Sequence, residues 1–201
     1  MPADPTLSTR PFPADVTCTG VRWGGPPRAD GEPSHRATLD LGWPSLVASR
    51  GRLHVSMLNP SGASHLASDA TITRVIGFAR AGGYSGVRIT NRFRFRATKP
   101  SHMAAAIQRG EDVGEDQDWE EMLAEGSDLL VGWGRPSSAL LRRRLQNSTG
   151  ELVARWRRHG MRLLALDLTE DGWPRHPLML PSASVLREVE WSAAEAGFVW
   201  R

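Results

Sequence analysis

Apolar positions recur along this chain with two different periods, and the switches between them mark its elements. "LHVSML" (53–58) is a short apolar run of the kind that forms a buried strand. "ATITRVIGFARAGG" follows, with Ile72, Val75, Ile76 and Ala79 at helical spacing and Gly82-Gly83 as the stop. "GVRITNRF" (86–93) is a second strand, "SDLLVGWG" a third and "MRLLALDL" a fourth. Between the second and third strands, "QDWEEMLAEG" reads as a short acidic helix. "PSSALLRRRLQNSTGELVARWRRHG" opens on Pro136 and closes on Gly160, with Leu141, Leu145, Leu152 and Trp156 on one helical face. "ATLDLGWPSLVAS" alternates weakly, as an edge strand or hairpin would.

Strand-helix alternation of this kind predicts a three-layer α/β/α sandwich around a largely parallel, four-stranded central sheet. Residues 1 to about 36 break the pattern, carrying seven of the fourteen prolines and little periodicity. They read as a proline-rich arm that the core fold can lose, ahead of a single α/β domain over 37–201.

In sheets of this type, ligands bind beyond the carboxyl ends of the strands. That rule gathers Asn59-Pro60-Ser61, Asn91 to Arg96, Trp133-Gly134-Arg135 and "TEDGWPRHPLML" at one edge. Asn59 before a proline opens an ordinary turn, or its amide holds a water or a ligand carbonyl. Asp69 either caps the following helix or polarises water. Arg74, one turn into that helix, is solvated, or binds phosphate or Asp69. His176 lies between Pro174 and Pro177, which stiffen its backbone; it is a hydrogen-bonded structural residue or a catalyst. "NRFRFRATKP" interleaves Arg92, Arg94 and Arg96 with Phe93 and Phe95. That alternation suits either an edge strand or the stacking of a base beside a phosphate.

Composition narrows these readings. The net charge is only +3 despite a pI near 9.9, and Lys99 is the only lysine, so the basic pI permits phosphate binding without demanding it. One cysteine, Cys18, excludes an internal disulfide and a thiolate metal cluster. The histidines lack HxH or HExxH spacing, so neither a metal nor another cofactor is expected. No P-loop and no G-x-S-x-G elbow is present. Without a long apolar span or a secretory leader, a cytoplasmic location and no membrane partner are expected.

The order "MLNPS…D-x-T…GFAR…GY…N-x-F…RAT-x-P…GWG…DG-x-PRHPL-x-LP" resembles the bacterial and phage family catalogued as domain of unknown function 1643, over about residues 50–181. Members commonly carry proline after the aspartate, where this chain has Ala70. The layout is also similar to the uracil-DNA glycosylase superfamily. There a G-x-(D/N)-P motif follows the first core strand and a His-Pro motif follows the last. Leu58-Asn59-Pro60 and His176-Pro177 match these, without the motif glycine and without a serine after His-Pro. The likeness implies that Asn59 positions a hydrolytic water and that His176 stabilises the departing base anion.

The resulting expectation is a nucleobase N-glycosidase acting on DNA or a nucleotide, with Asn59, Asp69 and His176 as catalytic residues. Pro60, Ser61, Arg74, Asn91, Phe93, Arg96, Trp133 and Arg175 would bind the nucleobase-containing substrate. The alternative is a catalytically silent nucleotide- or nucleic-acid-binding module on the same edge.

Overall fold

The structure is a computed structural model that describes residues 10–27, 33–60, 64, 66–97, 100–114 and 127–201. Ser61 and the expected acidic helix over 117–126 lie outside the described residues. Among the described residues eight strands form the sheet: β1 (Thr17–Pro27), β2 (Pro33–Gly42), β3 (Arg52–Met57), β4 (Gly86–Asn91), β5 (Asp128–Val131), β6 (Arg162–Ala165), β7 (Arg187–Ser192) and β8 (Gly197–Trp200). Three α-helices accompany them among the described residues: α1 (Ala70–Ala81), α2 (Pro100–Gln108) and α3 (Ala139–Arg158).

The strand order is β1-β2-β4-β3-β5-β6-β7-β8. This corrects the expected four-stranded, largely parallel sheet in a three-layer sandwich. The sheet is eight-stranded and mixed, with four antiparallel pairings against three parallel ones. The additions come from both chain ends. β1 and β2 extend one side as an antiparallel ribbon, and the β7–β8 hairpin extends the other. The boundary drawn at residue 36 falls inside β2, and residues 17–27 of the expected arm are hydrogen-bonded along it.

The parallel pairings join β4, β3, β5 and β6, with Met57 opposite Asn91 at the end of one ladder. Because parallel strands share a direction, Met57, Asn91, Val131 and Ala165 end at one edge. Alternation then assigns side chains to the two faces. Leu53, Val55, Met57 and Leu130 pack with Ile72, Val75, Ile76 and Ala79 of α1. Leu129, Val131, Leu163 and Ala165 pack with Leu141, Leu145, Leu152 and Trp156 of α3. The apolar stripes of both helices are therefore the ones their spacing predicts. Asp69 caps α1, its Oδ1 accepting from Ile72 N at 2.8 Å, and Ser138 caps α3 with its Oγ accepting from Leu141 N at 3.2 Å.

Candidate functional site

Beyond β3 the chain stays locked to the neighbouring segment instead of looping free. Arg92 N donates to Met57 O at 2.8 Å, Phe93 N to Leu58 O at 2.9 Å, and Ala97 N to Pro60 O at 3.1 Å. Asn59 completes this clasp, its Nδ2 donating to Pro60 O at 3.1 Å and, in a short bond, to Ala97 O. Both partners are carbonyl oxygens, so the nitrogen faces them and Oδ1 is the amide's remaining acceptor. Pro60 itself is buried.

The second wall is the turn after β6. Pro174 O accepts from Gly134 N at 2.8 Å, and Arg175 N donates to Asp167 O at 2.8 Å. These bonds seat the 3-10 turn Pro177–Met179 against the end of β5. The seat requires glycine at two positions. A Cβ on Gly132 would come within 3.0 Å of Pro177 Cδ, and one on Gly134, at φ 76°, within 3.2 Å of His176 Cβ. Arg74 ties the turn to α1 from the other direction. Its guanidinium donates to Leu180 O and to Ser182 Oγ, the latter at 2.7 Å, while lying over the Phe78 ring. Arg74 therefore acts as a strut.

His176 caps this turn, its Nδ1 accepting from Leu178 N at 3.3 Å. Burial pushes the imidazole below its ordinary pKa, and the Asp69 carboxylate offsets only part of that. The ring is thus neutral at pH 7, with its proton on Nε2 as a donor. Asp69 also acts on Arg36, which is 1% exposed. Burial lowers this guanidinium to about 10 and Asp69 pulls it back up, so it stays charged at neutral pH. Asp69 thus acts electrostatically on both Arg36 and His176, and Arg36 was not among the expected site residues. An arginine immediately before the alternating Ala37, Leu39 and Leu41 of β2 was the available signal.

His176 opens onto a cleft of about 500 Å³ lined by Gly134, Arg135, Thr169, Glu170, Asp171, Arg175 and Met179. The structure thus brings together the 134–135 and 175–176 segments, joined by 169–171. Other expected ligand residues lie outside this cleft. Phe93 is fully buried under the Arg144 guanidinium, which leaves no face for a base. Trp133 is core, its Nε1 donating to Ser56 Oγ at 2.8 Å and its ring edge-on to Phe198. Arg96 donates to Pro33 O at 3.0 Å and stacks over Trp23, fastening the β1–β2 ribbon. Asn91 is only 4% exposed, yet neither amide atom has a hydrogen-bond partner among the described residues. Unmet buried polar atoms cost about 1–3 kcal/mol each, so a bound water or ligand group is their natural complement.

Among the described residues no group of histidine, cysteine, aspartate and glutamate side chains could hold a metal ion. No helix among them is long and apolar enough to cross a membrane. No curated protein and no solved structure matches the chain, so the likeness to uracil-DNA glycosylases rests on the short motifs alone. A family model does match, over residues 36–178, and it spans β2 to the His176-Pro177 turn. The chain belongs to that family, described as a protein of unknown function (DUF1643).

Proposed function

We propose that this protein is a nucleobase N-glycosidase. The observation that carries this reading is His176: a neutral ring with its proton on Nε2, held on a proline-bounded turn beside a cleft. Cleaving an N-glycosidic bond leaves the bond's electron pair on the base and positive charge on the sugar. A fixed N–H aimed at the base lowers that barrier, because it meets charge that appears only as the bond breaks. Asn59 is clamped with Oδ1 left over, the right polarity to accept from and orient an attacking water. Asp69 supplies negative charge near His176 that favours a cationic sugar.

The test is release of free base from a panel of nucleosides, nucleotides and oligonucleotides. His176→Ala is expected to slow release by about 10²-fold or more, with circular dichroism confirming the fold. Asn59→Ala is expected to lower turnover more than substrate affinity. Full turnover by His176→Ala would remove that residue from the mechanism.

The silent binding module draws support from Asp69, whose Oδ1 is already engaged by the Ile72 N–H at the start of α1. A carboxylate spent on capping has one oxygen fewer with which to hold a water. Tight ligand binding by the wild type without any base release would establish that reading instead.

A further inference from the structure

We propose that the cleft beside His176 takes the sugar of a free ribonucleoside, its vicinal hydroxyls on Glu170, and not a stretch of nucleic-acid backbone. This rests on the N-glycosidase reading and names its substrate class.

Charge balance is the first argument. Arg135 and Arg175 line the cleft, but so do Glu170 and Asp171, and His176 is neutral, so the lining sums to zero. A site built for a polyanion concentrates cations, since each phosphate neutralised adds to affinity through counterion release. Each arginine already shares its charge with a carboxylate, which weakens its pull on a phosphate. Arg135 Nη2 lies 3.0 Å from Asp171 Oδ2, and Arg175 Nε lies 3.1 Å from Asp167 Oδ2. Asp171 is held again by Arg142 at 3.3 Å and by the Thr169 hydroxyl at 2.7 Å, so it belongs to the cleft's frame.

Glu170 is different. It is exposed, lines the cleft, and makes no hydrogen bond or ion pair among the described residues. An ionised carboxylate accepts from two donors at once, which is how acidic residues hold the hydroxyls of a ribose. The same group would repel a phosphodiester chain. The cleft's volume, about 500 Å³, falls in the range that encloses a small molecule.

With the sugar on Glu170, the base would be within the cleft that His176 also lines, where the Nε2–H can donate to it. In the reaction the C1′–N bond breaks with its electron pair on the base, and the oxygen of water bonds to C1′. One proton of that water ends on the base, giving free base and ribose.

The experiment uses the full chain with the common ribonucleosides, their 2′-deoxy counterparts and single-stranded 12-mers, reading free base by chromatography and binding by calorimetry. Ribonucleosides are expected to be the best substrates, with binding nearly indifferent to salt. Glu170→Gln and Glu170→Ala are expected to raise KM by about 10- to 100-fold with less change in kcat, and to erase the preference for ribose over deoxyribose. Base release confined to the 12-mers, with steep salt dependence, would overturn the proposal while leaving the N-glycosidase reading standing. Unchanged ribose preference in both Glu170 variants would also overturn it. Neither binding nor release with any probe would end both readings.

Discussion

His54 occupies the middle of β3, buried, with no hydrogen-bond partner for its Nδ1 among the described residues. Burial, then the nearby Arg88 and Arg52 guanidinium groups, pushes its pKa from 6.5 down to about 4. The unfolded chain takes up this proton below pH 6.5 and the folded one only near pH 4. Stability is therefore fullest above pH 6.5, falls as pH drops toward 4, and levels once both states are protonated. The window is worth about 3 kcal/mol. Urea unfolding at several pH values should show this decline in the wild type and a shallower one in His54→Leu. His176 is shifted in the same direction, so the difference between the two proteins isolates His54. Identical pH profiles would place the titration elsewhere.

At the scale of elements, the legible parts were those whose periodicity is imposed by burial on both sides. β3, β4, β5 and β6 are the apolar runs, and α1 and α3 show the spacing of their buried residues. The antiparallel flanks were harder to read because an edge strand buries only part of one face. β1 is mostly exposed or half-exposed and contains three glycines among its eleven residues, which erases alternation. The β7–β8 hairpin did carry a signal, with Val189 and Trp191 facing Phe198 and Trp200 at period two. Site residues divide in the same way. His176 and Arg175 line a cleft, whereas Phe93 and Trp133 are core. Aromatic residues at a strand end look alike in sequence whether they stack on a ligand or on a neighbouring helix. Arg74 was invisible as a strut because its partners lie more than a hundred residues away. Its removal is a prediction at this scale. Arg74→Ala should speed amide exchange at Leu178 and Met179 and cost about 1.5–3 kcal/mol from lost charge-assisted hydrogen bonds. Arg74→Lys should recover only part, since an ammonium lacks the planar fork that reaches both acceptors. Unchanged exchange would mean that the seat on Gly132 and Gly134 holds the turn alone.

For the whole molecule, the question is whether the amino-terminal ribbon is decoration or part of the sheet. The prolines that suggested an arm bracket β1 and are absent from its body, falling at Pro11 and Pro13 before it and at Pro26 and Pro27 at its end. Between them the strand pairs with β2 from Thr17 opposite Gly42 to Pro27 opposite Pro33. Val16 is buried, and Phe12, Cys18 and Val21 pack against the α1-side core. A chain beginning at Arg36 would lose all of these and the first residues of β2. It would also leave β2 as an open edge, with unpaired backbone groups beside the fully buried Leu39 and Leu41. Such an edge is a template for pairing with another chain. The truncated protein is therefore expected to unfold at lower urea than the full chain and to self-associate, as size-exclusion chromatography with light scattering would show. Since Arg36 would become the first residue of the shortened chain, without β1 to hold it toward Asp69, the truncation should alter the site as well as the fold. A chain starting at Arg36 that stayed monomeric, with the full-length midpoint, would instead restore the amino terminus to the status of a dispensable arm.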